Sequence, residues 1–252
     1  MSLVGKKAVV TGGSRGLGLG IVEELVSRQT RVVVVARDAG VLESVRTRLG
    51  VETISADITD AVSARSILAD IRPEILILNA GATPSMERLD QMSWEDFSVT
   101  WNTDVKGALY WIQAALNLPM GPGGRILLSS SGAALNGSPM SGGYAGAKRM
   151  VWHMAAYANG ISEQKGLGIL FQAVVPTQMI GGTGVGDAGS TAYAHARGVS
   201  QEAFLASFGA PMPPRLFGEH VANILVDPQY ATTLALGVKG DSAITKLQER
   251  SA

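Results

Sequence analysis

Short apolar runs alternate with stretches of helical periodicity along nearly the whole chain. Lys7–Thr11 is the first run, after which Leu17, Ile21, Val22, Leu25 and Val26 recur three and four apart, as one face of a helix requires. Arg31–Ala36 is apolar in the manner of a strand covered on both faces. Residues 51–55 give a third strand, a helix runs through Leu68 and Ile71 to stop at Pro73, and Ile75–Leu78 is a fourth strand. A helix over about 95–118 carries Val105, Leu109, Ile112, Ala115 and Leu116 on one side. Pro119, Pro122 and paired glycines then punctuate the chain before a fifth strand, Arg125–Ser129. A helical segment over 148–160, a sixth strand over 168–175, a helix near 219–225 and a last strand near 233–238 complete the pattern. Such alternation predicts an α/β fold: a doubly wound parallel sheet of about seven strands with helices on both faces.

Residues 181–215 depart from this rhythm. They begin glycine-rich and continue with Tyr193, His195, Phe204, Phe208, Met212 and three prolines. So long a connection predicts a lid or substrate-binding loop inserted within a single domain spanning residues 1–252. Its Met and Phe content suggests a partly apolar substrate.

Composition narrows the function classes. With 252 residues, 46% hydrophobic and 17% charged, the chain reads as globular with a large buried sheet. Its 21 basic and 21 acidic residues balance, so neither nucleic acid nor an anionic membrane is expected as a partner. The absence of cysteine excludes disulfides and thiolate chemistry. The three histidines form no ligand pair, and no metal is expected. His153 is placed on a core or interface helix, His195 in the variable loop and His220 on a surface helix, none of them with a catalytic role. Trp94, Trp101, Trp111 and Trp152 read as packing or interface residues. No apolar run reaches the roughly 18 residues of a membrane span and no signal peptide is evident, so a cytoplasmic protein is expected.

Candidate chemistry gathers at the ends of the strands. The first ends in Gly12-Gly13-Ser14-Arg15-Gly16-Leu17-Gly18, and strand, glycine turn and helix together present free N–H groups and a positive helix end to a pyrophosphate. At the end of the second strand, where a dinucleotide fold meets the adenosine ribose, Ala36 stands in place of an acid and Arg37 follows. Arg37, with Arg15 as a second cation, favours a 2′-phosphate and hence NADP over NAD; Asp38 is expected to face water. Asp57, followed by Ile58, either accepts from the adenine amino group or caps the helix opened by Thr59 and Asp60. Asn79-Ala80-Gly81 leaves the fourth strand with residues small enough for close cofactor approach.

Tyr144 and Lys148 are one helical turn apart and share a helix edge, and Ser131 ends the fifth apolar run. A free phenol titrates near about 10, and a unit charge ~4 Å away at an effective dielectric of ~20 lowers that by up to ~3 units. Lys148 is placed to supply such a charge, and Ser131 to hold a substrate oxygen against Tyr144. Ser, Tyr and Lys meeting at one point form an acid–base device for a carbonyl or an alcohol.

These motifs together, Thr11-Gly12-x-x-x-Gly16-x-Gly18, Asp57, Asn79-Ala80-Gly81, Ser131, Tyr144-x-x-x-Lys148 and Val175-Pro176, resemble the short-chain dehydrogenase/reductase family over essentially the whole chain. The resemblance implies a seven-stranded Rossmann sheet, Tyr144 as general acid/base, Ser131 orienting the substrate, and Lys148 both holding the nicotinamide ribose and tuning the phenol. It also implies a homodimer or homotetramer. Two positions depart from the family's pattern. Asp104 stands where an Asn usually holds a proton-relay water, with Asn102 two residues earlier, and its charge is expected to oppose Lys148 in part. Thr177 replaces the glycine after Pro176, leaving Thr183 as the nearest hydroxyl for the cofactor's phosphate or amide. The expected activity is NADPH-dependent reduction of a ketone or aldehyde, reversible as alcohol oxidation. A non-catalytic NADP-binding regulator, or an enzyme acting on an imine or as an epimerase or dehydratase, are the alternatives.

Overall fold

Eight strands form one sheet in the computed structural model of the chain, which describes residues 2–118 and 120–247. Pro119, expected to break the chain before the fifth strand, lies outside the described residues. Strands β1 (Lys7–Thr11), β2 (Arg31–Ala36), β3 (Glu52–Ser55), β4 (Ile75–Leu78), β5 (Arg125–Ser129), β6 (Leu170–Pro176) and β7 (Ala235–Val238) run parallel. The order is β3-β2-β1-β4-β5-β6-β7-β8, so the winding reverses between β1 and β4, where a doubly wound sheet opens a crevice at its carboxyl edge. The eighth strand, β8 (Thr245–Lys246), adds antiparallel to β7 and was not expected; two residues are too few for any period to mark them.

Strand side chains alternate between two cores, as a pleat of period two dictates. Val9, Val33, Val35, Leu76, Leu78, Ile126 and Leu128 face one core. It is covered by α3 (Ala61–Ile71), α5 (Lys106–Asn117) and α7 (Tyr144–Gln164). Ala8, Val10, Val32, Val34, Ile75, Ile77 and Leu127 face the other, under α1 (Gly16–Ser27), α2 (Ala39–Leu49) and α10 (Pro214–Val226). Helices α1 and α10 cross almost backbone to backbone. A Cβ at Gly20 would lie 2.2 Å from the Pro214 carbonyl oxygen, and one at Gly218 would lie 2.2 Å from that of Gly20. That crossing corrects the placing of His220 on a surface: it is buried on α10, with Nε2 2.6 Å from the Gly240 carbonyl.

The single long helix expected before the fifth strand is broken by a wider turn. Helix α4 (Trp94–Thr100) runs into a π-helical turn, Trp101–Val105, before α5 begins. The wider turn shifts the helical phase, so α5 buries Ala108, Trp111, Ile112 and Ala115 and leaves Leu109 exposed, contrary to the stripe read from a uniform 3.6-residue period. Of the tryptophans, Trp111 and Trp152 are buried, Trp94 is 71% exposed against Phe97, and Trp101 is partly exposed.

Residues 181–215 are mostly helical. Helices α8 (Gly184–Ala196) and α9 (Gln201–Ala206), with the start of α10, account for most of the stretch, and α6 (Ala133–Asn136) is a single turn after β5. Thr183 and Ser200 cap α8 and α9 through their hydroxyls, a signal hidden among glycines in the sequence. At the opposite edge of the sheet, Arg125 is buried. Its guanidinium donates to Gln172 and to the Ile224 and Leu225 carbonyls at the C-terminal end of α10, a site that suits a cation.

Candidate active site

One cavity of about 1250 Å³ runs along the carboxyl edge of the sheet, larger than the roughly 300–1,000 Å³ typical of a pocket for one ligand. It has room for a dinucleotide and a second molecule. Most residues singled out at the strand ends line it; Thr11, Gly13, Gly18, Asp60 and Val175 do not.

The nucleotide half is built on the first turn. Thr11 Oγ1 donates to the Ile77 carbonyl and accepts from the Asn79 and Ala80 amides, tying β1 to the exit of β4. Gly18 has no room for a side chain, since a Cβ there would lie 2.1 Å from the Gly12 carbonyl oxygen. Helix α1 starts at Gly16 without a side-chain cap on Arg15 and without an acid in its first turn. Its free N–H groups and positive end therefore face the cavity unneutralised, which fits the pyrophosphate of a dinucleotide. Ser14, Arg15, Gly16 and Leu17 line this end, and Arg37 stands at the end of β2.

Asp38 is exposed, as expected, and also caps α2 by accepting from Gly40 N and Val41 N at 3.0 Å. Engaged in this way, it offers Arg37 no ion pair, and among the described residues no carboxylate lies within ion-pair distance of Arg15 or Arg37. Asp57 accepts from the Thr59 amide and hydroxyl at 2.8 and 2.9 Å, bonds that hold its carboxyl below the usual carboxylate range. The cap of α3 is Asp60 rather than Asp57. Asp57 and Ile58 still line the cavity.

The reactive half centres on the first residue of α7. Tyr144 is positioned by the turn before it, where Trp101 Nε1 donates to the Gly143 carbonyl at 3.0 Å, so Trp101 does more than pack. Ser131 lies beyond the end of β5; its Oγ accepts from the Ala133 amide at 3.2 Å, which leaves its own proton to donate. The neighbouring Ser129 donates to Asn79 Oδ1 at 3.2 Å, and Ser130 to the Lys148 carbonyl at 2.8 Å.

Lys148 is buried, with Nζ 5.8 Å from the centre of the Tyr144 ring and 3.3 Å from the Ser129 carbonyl it donates to. Nζ also stands 2.9 Å from Asp104 Oδ2, an ion contact whose angles fall short of an aligned hydrogen bond. Asp104 Oδ1 accepts from the Ala82 amide at 2.8 Å, and a Cβ at Gly81 would lie 2.6 Å from Oδ2. The carboxylate thus joins the loop after β4 to the lysine. Burial pushes the Lys148 ammonium down, but the Asp104 carboxylate and the charge of an ionised Tyr144 outweigh it and hold the group above the ordinary lysine range. The cation beside the phenol is therefore shared with Asp104.

At the end of β6, Pro176 and Thr177 line the cavity, yet the Thr177 hydroxyl donates to the Val238 carbonyl at 3.2 Å and so serves the sheet. The Thr183 hydroxyl accepts from Gly186 N at 3.1 Å. The outer wall comes from α8, α9 and the turn after α9: Tyr193, Phe204 and Phe208 line it as their apolar character suggested, whereas Met212 is buried in the core beneath. Met86, Arg197 and Lys239 also line the cavity and carry no motif. The i, i+4 spacings of Tyr193 to Arg197 and Phe204 to Phe208 are the signal that would have found that wall. His153 and His195 do not line it.

Among the described residues no helix is long and apolar enough to cross a membrane. The model of the family described as short chain dehydrogenase matches residues 6–185. A hydroxynaphthalene reductase of Aspergillus fumigatus is 30% identical over 162 residues, covering 60% of this chain and 59% of its own length. A 3-oxoacyl-acyl-carrier-protein reductase of Salmonella typhimurium is 32% identical over 158 residues (59% of this chain, 64% of its own). An L-xylulose reductase of Bos taurus is 29% identical over 140 residues (54% and 57%). A solved structure described as a short chain dehydrogenase/reductase family protein superposes with a TM-score of 0.73 at 23% identity, covering 95% of this chain and 98% of that one, which is a likeness of fold. With more than two thirds of its length matched by the family model, the chain belongs to the short chain dehydrogenase family.

Proposed function

We propose that this protein is an NADPH-dependent reductase of a ketone or aldehyde, running in reverse as an alcohol dehydrogenase. The observation that carries the reading is that Ser131, Tyr144 and Lys148 line one cavity with the uncapped start of α1 and with Arg15 and Arg37, two cations that have no carboxylate in ion-pair distance among the described residues. Each of the three relatives named above is a reductase, which favours reduction over oxidation. A dinucleotide held there would supply hydride to the carbonyl carbon. Ser131 donates a hydrogen bond to the carbonyl oxygen, and the Tyr144 hydroxyl passes its proton to that oxygen as it gains charge, giving the alcohol. Lys148, held by Asp104 and the Ser129 carbonyl, keeps a positive charge beside the phenol and supplies N–H groups for the nicotinamide ribose. Asn79, Ala80 and Gly81 shape the wall against which the nucleotide lies, and Thr183 stands across from the glycine turn.

A panel of ketones and aldehydes offered with NADPH and with NADH, followed by nicotinamide absorbance, tests the reading. Oxidation of NADPH by at least one carbonyl is expected; no turnover with either dinucleotide across the panel overturns it. The choice of dinucleotide rests on Arg37. Arg37→Ser is expected to lower kcat/KM for NADPH by ~10–100-fold, the worth of a charge-assisted bidentate contact, and to leave NADH nearly unchanged. Equal losses with both dinucleotides would place Arg37 elsewhere in the site's workings.

A further inference from the structure

The charges lining the cavity do not cancel. Its three carboxylates are all engaged: Asp38 caps α2, Asp57 closes the turn with Thr59, and Asp104 pairs with Lys148. Besides Arg15 and Arg37, two more cations line it with no carboxylate in ion-pair distance among the described residues, Arg197 and Lys239. They belong to the other end. Lys239 follows β7, four strand positions from β1, or about 19 Å at the usual spacing. Arg197 closes α8. Two cations at the adenosine end answer a nucleotide phosphate; the second pair has no counterpart in the nucleotide reading.

Arg197 stands on an aromatic wall that leads back to the reacting end. Its guanidinium carbon lies 5.0 Å from the centre of the Phe204 ring and 6.0 Å from that of Phe208. Tyr193, one turn earlier on α8, stacks on Phe204 with ring centres 6.0 Å apart. The Tyr193 hydroxyl bonds Ser138 Oγ at 2.9 Å and the Met140 amide at 3.2 Å, in the loop that delivers Tyr144. One turn of helix, about 5.4 Å, therefore separates a residue anchored to the catalytic loop from a guanidinium with no carboxylate partner among the described residues.

Resting on the carbonyl-reductase reading, we propose that Arg197 and this wall form a substrate subsite for a carboxylate carried at the far end of an aryl or similarly apolar body from the reacting carbonyl. The rings take the body, and the planar fork of the guanidinium beside them takes the carboxylate. Lys239 adds to the positive field on the same half of the cleft. Arg197 is exposed, so water screens the contact and its expected effect is modest.

Calorimetric binding of 4-acetylbenzoate and its neutral counterpart 4-acetylbenzamide to the protein loaded with NADP+, which cannot reduce either ketone, tests the subsite. The wild type is expected to bind the benzoate about fivefold more tightly. Arg197→Met, which keeps length and apolar contact with Phe204, removes that preference while the benzamide and NADP+ bind as before; Arg197→Lys retains part of it. Three results overturn the proposal: no preference in the wild type, an equal loss for both ligands in Arg197→Met (a packing role), or a loss confined to NADP+ (a cation belonging to the nucleotide). NADPH oxidation by the neutral 4-acetylbenzamide reports on the reductase reading separately. A preference in binding without turnover of any carbonyl would keep the subsite and remove the reductase.

Discussion

Tyr144→Phe is expected to lower kcat for carbonyl reduction by ~10²–10⁴-fold, the usual worth of a positioned proton donor. The ring stays, so its packing at the start of α7 and the contact with Lys148 Nζ at 5.8 Å are kept. Only the hydroxyl that meets the substrate oxygen is lost. NADPH affinity, read by fluorescence titration, is therefore expected to change by less than about twofold, since the removed interaction belongs to the transition state. Steady-state kcat beside that titration gives the answer. A variant that turns over normally, or one that loses cofactor binding in step with kcat, would end the case for Tyr144 as the acid.

The second large effect is expected at Asp104. Asp104→Ala leaves the buried Lys148 ammonium without its carboxylate, and removing one member of a buried pair costs about 3–5 kcal/mol. At roughly 2–4 °C per kcal/mol for a chain of this size, the melting temperature falls by roughly 10 °C. Lys148 is held above the ordinary lysine range in the folded protein. Its stabilisation is therefore complete below the unfolded value of about 10.4 and is lost only as pH climbs through the folded value. The gap between wild type and variant is expected to stay level near neutrality and to close only above that point. Asp104→Leu with Lys148→Met together recovers much of the melting temperature, because an apolar pair substitutes well for a buried ionic one, yet stays inactive. Asp104→Asn still accepts from Ala82 and removes only the charge, so the midpoint of the kcat profile moves to lower pH. Should kcat and melting temperature fall while that midpoint stays put, Asp104 serves structure alone.

Much of this was legible because parallel strands covered on both faces announce themselves. Val32 to Val35 and Ile75 to Leu78 are apolar at every position, and the sheet buries them all. The positions at strand ends were legible for the same reason, since strand boundaries fix where a doubly wound sheet opens its cleft. What escaped the sequence depended on phase and on partners distant in the chain. A uniform helical period put Leu109 inward, and the wider turn at Trp101–Val105 put it outward. Asp38 is exposed as expected, but its capping role was hidden because the targets are backbone amides, which no side-chain pattern displays. His220 looked exposed because the glycine pair that brings α10 onto α1 lies almost two hundred residues apart. Arg197 and Lys239 belong to no motif, and only the fold brings them to line the same cavity as Tyr144.

The crossing at Gly20 and Gly218 bears on how the protein adapts to ligands. With two main chains already touching there, the flank that carries the start of α1 has no slack and acts as a fixed anvil. Any accommodation of differently shaped guests then falls to the opposite flank, the short helices α8 and α9, hung between glycine-bearing joints at Gly182, Gly198 and Gly209. On the proposed reading, nucleotide recognition falls on the stiff side and guest selection on the yielding one, so the second can drift in evolution without disturbing the first.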